Sequence, residues 1–116
     1  MAGTKLVIGA SGFLGSHVVK QLVAGGETDV RALVRTTSST RGIEGLPVDI
    51  RYGDVFDTGA VRAAMTGCDI VYYCVVDARS WLRDPAPLWR TNVDGLRNVL
   101  DVAADADLDR FVFTSS

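Results

Sequence analysis

Lys5-Leu6-Val7-Ile8-Gly9-Ala10-Ser11-Gly12-Phe13-Leu14-Gly15-Ser16-His17-Val18-Val19 is the stretch on which the reading of the whole chain turns. Lys5 to Gly9 is short and almost wholly apolar, as a strand buried on both faces must be. From Phe13 to Ala24 the apolar residues Leu14, Val18 and Leu22 recur every four positions, which predicts a helix stopped by Gly25-Gly26. The joint between them is spaced Gly-x-x-Gly-x-x-Gly. A turn that reverses within a few residues, admits an anion to backbone amides and packs a helix close to a strand needs glycine at each of those places. The helix start then offers unsatisfied N–H groups and a positive dipole end. Gly9, Ser11, Gly12, Phe13, Leu14 and Gly15 are therefore predicted to hold a phosphate, with the Ser11 hydroxyl as an added donor. The same glycines could equally serve only to make a tight turn; their position, directly after the first strand and opening the first helix, favours a nucleotide.

Outward from this unit, apolar runs alternate with helical periodicities. Val30 to Arg35 predicts a second strand. After the polar stretch Thr36 to Gly45, the strict alternation of Val48 to Tyr52 predicts an exposed edge strand. Asp57 can cap a short helix over Ala60 to Met65, Ile70 to Val76 reads as a central strand, and a polar, proline-containing loop, Asp77 to Pro87, follows. A long helix to about Ala104 carries Trp89, Val93, Leu96, Leu100 and Ala103 at three- or four-residue spacing, and Arg110 to Phe113 is the last strand. The order β-α-β-β-α-β-α-β predicts an α/β, Rossmann-type parallel sheet with helices on both faces, its five strands in the order 3-2-1-4-5.

The chain has 116 residues, enough for one domain and too few for two. With 47% hydrophobic and 22% charged residues it can build a core. Twelve basic against 14 acidic residues give a net charge of -2, so no broad basic field exists for nucleic acid or anionic lipid. No apolar run reaches membrane-spanning length and no leader core precedes Leu6, which predicts a cytoplasmic protein without a membrane partner. Cys68 and Cys74, on an extended segment at about 3.3 Å per residue, stand roughly 20 Å apart, too far for a disulfide. With one histidine and no close cysteine pair, no metal site is expected.

In dinucleotide sheets the end of the second strand meets the adenosine ribose, where an acidic residue suits the 2'-hydroxyl of NAD and an arginine the 2'-phosphate of NADP. Here that residue is Arg35, followed by the hydroxyl side chains of Thr36, Thr37, Ser38 and Ser39. NADP is the expected cofactor, with NAD as the alternative, and Arg41 is a candidate second phosphate contact. The bland alternative is a solvated cation beside a flexible loop. His17 is expected to be a packed or solvated helix residue, and Cys74 a small buried hydrophobe, since no base accompanies it.

Four motifs in order resemble the extended short-chain dehydrogenase/reductases, the NAD-dependent epimerase/dehydratase superfamily. They are Gly9 to Gly15 with Ser11 and Phe13, Gly53-Asp54 after the third strand, Thr91-Asn92-Val93-x-Gly95, and the closing Phe113-Thr114-Ser115-Ser116. Within that superfamily the likeness is to the dihydroflavonol-reductase-like group, relatives of the nucleotide-sugar epimerases. It implies an NAD(P)-dependent oxidoreductase of a carbonyl or alcohol. It also implies that Asp54 contacts the adenine edge, that Val55 contacts it through its backbone, and that Asn92 supports the catalytic geometry. Where relatives carry His-x-Ala after the fourth strand, this chain has Tyr73-Cys74-Val75, so contact at Val75 is expected through the main chain.

The resemblance further implies that Ser116 is the catalytic hydroxyl that holds the substrate oxygen. The family's Tyr-x-x-x-Lys pair has no match: the tyrosines are Tyr52, Tyr72 and Tyr73, with Phe56, Val76 and Asp77 four residues on, and the lysines are Lys5 and Lys20. The expectation is an N-terminal, cofactor-binding portion, residues 1–116, inactive on its own, with the catalytic helix and substrate region outside it. Trp81 and Trp89, around Asp84-Pro85-Ala86-Pro87, could line a substrate surface or pack in a core. A sensor module without catalysis and an epimerase or dehydratase are the alternative functions, and homodimerisation is left open.

Overall fold

The computed structural model describes residues 3–75 and 83–113; Val76, Asp77, Trp81, Ser115 and Ser116 lie outside them. Five strands, β1 (Thr4–Ile8), β2 (Val30–Val34), β3 (Asp49–Tyr52), β4 (Cys68–Tyr73) and β5 (Arg110–Phe113), pair in parallel in the order β3-β2-β1-β4-β5, as expected. The helices are α1 (Phe13–Ala24), α2 (Thr58–Met65), α3 (Ala86–Trp89) and α4 (Leu96–Asp105), with a π-helical stretch, Arg90–Gly95, joining the last two.

Alternate strand residues feed two cores, the consequence of a side-chain period of two in a sheet covered on both sides. Leu6, Ile8, Leu33, Val71 and Tyr73 pack with Val61 and Met65 of α2 and Val99 and Val102 of α4. Val7, Ala32 and Val34 face the other way, onto Val19 of α1. β3 is one edge of the sheet, with only Ile50 partly covered. At the foot of the sheet Lys5 is buried, its Nζ 3.6 Å from Asp69 and 3.7 Å from Glu27. Arg31 ends α2: its Nη1 donates to the carbonyls of Ala64 and Thr66, at 2.6 and 2.8 Å.

Two expectations are corrected. The buried face of α1 is Gly15, Ser16 and Val19, with Val18 and Leu22 only partly covered and Leu14 45% exposed. Small residues let the helix approach the sheet so closely that its contact line runs beside the expected stripe. Beyond α3 the fully buried positions are Gly95, at the end of the π-helical stretch, and Val99 and Val102 of α4; the expected Leu96 and Ala103 pack on that core only partly buried, and Leu100 and Trp89 are exposed. The π-helical stretch inserts extra backbone and rotates the upstream residues off the apolar seam. The polar stretch 36–45 holds an ordered element as well: Arg41–Ile43 forms a 3-10 turn, and Ile43 is 1% exposed in the core under α1.

After β3 the chain crosses back over β1 to form β4, so strand order reverses between β1 and β4. In open parallel sheets, ligands bind at the carboxyl ends of the strands at such a reversal.

Candidate cofactor-binding site

A cavity of about 590 Å³ opens at that reversal, within the range of small-molecule sites. Its floor is the glycine turn. Gly9 has φ +83°, in the left-handed region, and a Cβ there would stand 2.9 Å from Val75 Cγ2 and 3.1 Å from the Cys74 carbonyl group. A Cβ on Gly15 would stand 2.0 Å from the Gly9 carbonyl oxygen, so the closeness of α1 to the turn depends on that glycine. Gly12 differs. Its Cβ would meet nothing nearer than that same oxygen, at 3.5 Å, and Gly12 lines the cavity. No protein atom requires glycine there, whereas a ligand pressed against the backbone would.

The helix end is left open for an anion. The first bond of α1 runs from the Ser16 amide to the Gly12 carbonyl at 2.9 Å, so the amides of Phe13, Leu14 and Gly15 precede the helical ladder. Gly12 provides no side-chain cap, and no acidic residue occupies the first turn. The turn therefore presents uncapped donors and a positive dipole end, a cradle that fits a pyrophosphate. Gly9, Ser11 and Gly12 line the cavity; Phe13, Leu14 and Gly15 do not, and would contribute only their amides. The Phe13 ring is 84% exposed and packs on His17 at 4.5 Å between centroids, while His17 Nδ1 lies 2.8 Å from the Phe13 carbonyl, so His17 stays on its own helix.

Arg35, at the carboxyl end of β2, lines the same cavity. Its guanidinium has no hydrogen bond or ion pair among the described residues. Ser38 lines the cavity too; Thr36, Thr37, Ser39 and Arg41 do not.

The third wall is the turn after β3. Gly53 allows α2 to close on it, since a Cβ would come 2.5 Å from Ala60 Cβ. Asp54 Oδ1 accepts from the Phe56 amide at 2.9 Å, and Asp57 Oδ1 caps α2 by accepting from the Ala60 amide at 3.1 Å. The turn and cap expected from Gly53-Asp54 and Asp57 thus coexist with Asp54 facing the cavity. Val55 lines it as well, but its carbonyl is taken: Asn98 Nδ2 donates to it at 2.6 Å. With one lone pair of that oxygen engaged, the Val55 N–H is the backbone group offered whole to a ligand.

Cys74, Val75 and Thr91 complete the cavity. Cys68 and Cys74 are both buried and unbridged, and burial pushes the Cys68 thiol up. Tyr73, beneath the cavity, is 1% exposed, and burial pushes its hydroxyl up to about 12, a poor proton donor at neutral pH. Trp89 is 63% exposed, and neither it nor Asn92 lines the cavity. Ser116 falls outside the described residues.

Phe56 and Thr91 line the cavity without having been singled out. Thr91 stands beside Asn92 in a motif quoted for its likeness to the family, and that motif was its signal. Phe56 had none; its ring carries the Arg90 guanidinium at 4.0 Å, a contact across chain positions that no local pattern encodes. Among the described residues no group of metal-ligating side chains assembles, and no helix is long and apolar enough to cross a membrane.

"Putative dihydroflavonol 4-reductase" of Synechocystis sp. is 38% identical over 116 residues, covering 100% of this chain and 33% of that protein. Cinnamoyl-CoA reductase 1 of Oryza sativa subsp. japonica is 36% identical over 117 residues, covering 95% of this chain and 33% of that one. A crystal structure of a short-chain dehydrogenase/reductase superfamily protein from Agrobacterium tumefaciens, with bound NAD, matches at TM-score 0.79 and 32% identity over 97% of this chain and 32% of that chain. The chain spans about a third of the length of the curated relatives it matches. Residues 5–116 match the NAD dependent epimerase/dehydratase family, and it is to that family that the chain, with its glycine turn at the strand-order reversal, belongs.

Proposed function

We propose that these residues are the cofactor-binding part of an NADP-dependent reductase acting on a small-molecule carbonyl or alcohol. Arg35 carries the reading, an uncommitted cation lining the cavity at the end of β2 where NAD sites favour a carboxylate. The reductase names of the two relatives support the reaction class.

In this reading the α1 amides and Ser11 hold the pyrophosphate, Arg35 the 2'-phosphate, and Asp54 with the Val55 N–H the adenine. Val75 and Gly9 bound the nicotinamide side. When bound, the nicotinamide supplies hydride transfer. Ser116 is the hydroxyl assigned to the substrate oxygen, and the tyrosine and lysine that would complete proton transfer are assigned to sequence outside these 116 residues. The 116-residue chain alone is accordingly inactive, and a homodimer is a further assembly to examine.

Titration of the chain with NADPH and NADH tests the reading. Tighter binding of NADPH, lost in Arg35→Ala, is expected. Equal affinity, or preference for NADH, sinks the NADP assignment and moves the reading toward an NAD-dependent epimerase or dehydratase. Steady NADPH consumption by the 116-residue chain with a panel of aldehydes and ketones would refute the inactivity.

A further inference from the structure

The outer edge of β3 is open, and its chemistry is symmetric about Ile50. Just past the strand, the Gly53 amide donates to the Val34 carbonyl of β2 at 2.8 Å. Successive residues of a strand turn their backbone groups to opposite sides. Asp49 and Arg51 therefore direct theirs to β2, as Gly53 does, while Ile50 and Tyr52 direct theirs outward. Among the described residues no strand lies on that side to receive them.

Side chains alternate as well. Val48 and Ile50 pack partly buried on the core beneath α1, and Tyr52, on the same face beside Val34, is 55% exposed. Asp49 and Arg51 take the opposite face, beside Arg31 and Leu33, and both are exposed. Arg51 donates to the Asp49 carboxylate from Nε at 3.1 Å and from Nη2 at 2.9 Å, and Arg31 Nε lies 3.6 Å from it. Val48 to Tyr52 thus runs apolar, acid, apolar, base, apolar. Turned end for end, the same edge sets a base opposite each acid and an apolar side chain opposite each apolar one.

We propose that this edge pairs with β3 of a second copy of the chain, antiparallel about a twofold axis at Ile50, so that two five-stranded sheets become one. The two Ile50 residues exchange N–H···O=C bonds across the axis, and each Tyr52 N–H reaches the Val48 carbonyl of the other copy. Asp49 of each copy faces Arg51 of the other, and each Tyr52 ring lies against a Val48. The charges also select the register: a twofold axis at Asp49 or at Arg51 would oppose like charges. The fork within each chain is no obstacle, since an exposed ion pair is worth little and its carboxylate can accept from both arginines. Because the two β3 strands run in opposite directions, the two cofactor cavities lie at opposite ends of the joined sheet.

The test is sedimentation equilibrium of the 116-residue chain at low salt, at concentrations up to about 1 mM, with a thermal melt of each variant as a check on folding. The parent is expected to populate a dimer that weakens as salt is added. Arg51→Glu alone and Asp49→Lys alone each weaken association about tenfold or more, and an equimolar mixture of the two variants recovers it to within about threefold of the parent, because an all-acid edge then meets an all-base one. Tyr52→Pro, which removes only an outward N–H, also weakens it. A parent that stays monomeric, a dimer indifferent to Arg51→Glu, or a mixture no more associated than its components overturns the proposal. Should Asp49→Lys fail to fold beside Arg31, Tyr52→Pro decides: a dimer that survives it overturns the pairing.

Discussion

Asn98 of α4 donates through Nδ2 to the Val55 carbonyl at 2.6 Å, and its Oδ1 accepts from Thr58 Oγ1 at 3.0 Å. One amide side chain thereby ties the turn after β3 and the start of α2 to the helix that follows the π-helical stretch. Gly95 makes the approach feasible, since a Cβ there would lie 2.9 Å from Val55 Cγ2. The wall assigned to adenine is held from behind by this clamp, and Asn98 is a positioning residue for it.

Asn98→Ala leaves the partly buried Val55 carbonyl without its donor, a loss of about 1–3 kcal/mol. The thermal midpoint is expected to fall by several degrees and 5'-ADP binding to weaken. The preference for NADPH over NADH, set at the other end of the cavity, stays as it was. Unchanged stability together with unchanged ADP affinity would refute the clamp.

Gly12 and Gly15 separate binding from folding. Gly12→Ala places a methyl group in open cavity space, so the melt stays within a degree or two of the parent while dinucleotide affinity drops at least tenfold. Gly15→Ala drives a Cβ into the Gly9 carbonyl and costs about 1–3 kcal/mol of stability as well. Calorimetric titration and melting of both variants read this directly; loss of stability in Gly12→Ala would show that its glycine serves the turn itself.

What the sequence disclosed and what it hid divide along locality. Strand order, the bounds of α1, the Asp57 cap and the seat of Gly9, Gly12, Arg35 and Asp54 follow from patterns a few residues long: a continuous apolar run, a glycine spacing, a polar residue before a helix. Ile43 stayed hidden because a lone apolar residue in a polar stretch has no periodicity, and only the return of that stretch onto α1 buries it. The fully buried line of α1 falls beside the expected stripe because glycine-mediated close approach is a property of packed elements, and Trp89 leaves the seam ahead of a π-helical stretch that no spacing announces. Phe56 entered the cavity through the turn geometry fixed by Asp54, again a three-dimensional fact.

Ile43 is expected to govern selectivity without touching the ligand. Ile43→Ala removes a fully buried side chain, costing about 2–5 kcal/mol, and frees the segment that holds Ser38. Affinity for NADPH should then fall more than affinity for NADH. Equal losses would mean that the 3-10 turn at Arg41–Ile43 has no part in holding the cavity wall at Arg35.

Tyr73 should give the fold an alkaline limit. Below about pH 10 its hydroxyl keeps its proton in both folded and unfolded chains and contributes no pH dependence. Between 10 and about 12 the unfolded chain's tyrosine ionises while the buried one does not. The unfolded state then binds fewer protons, and stability falls as pH rises through that window. Tyr73→Phe lacks the titration and preserves the ring packing between Phe111 and Phe113, whose centroids lie 6.2 and 6.1 Å away. Denaturant melts at intervals from pH 8 to 11.5 should show the parent losing ground to Tyr73→Phe only above about pH 10; a constant difference across the series would mean that the hydroxyl ionises in the folded chain as readily as in water.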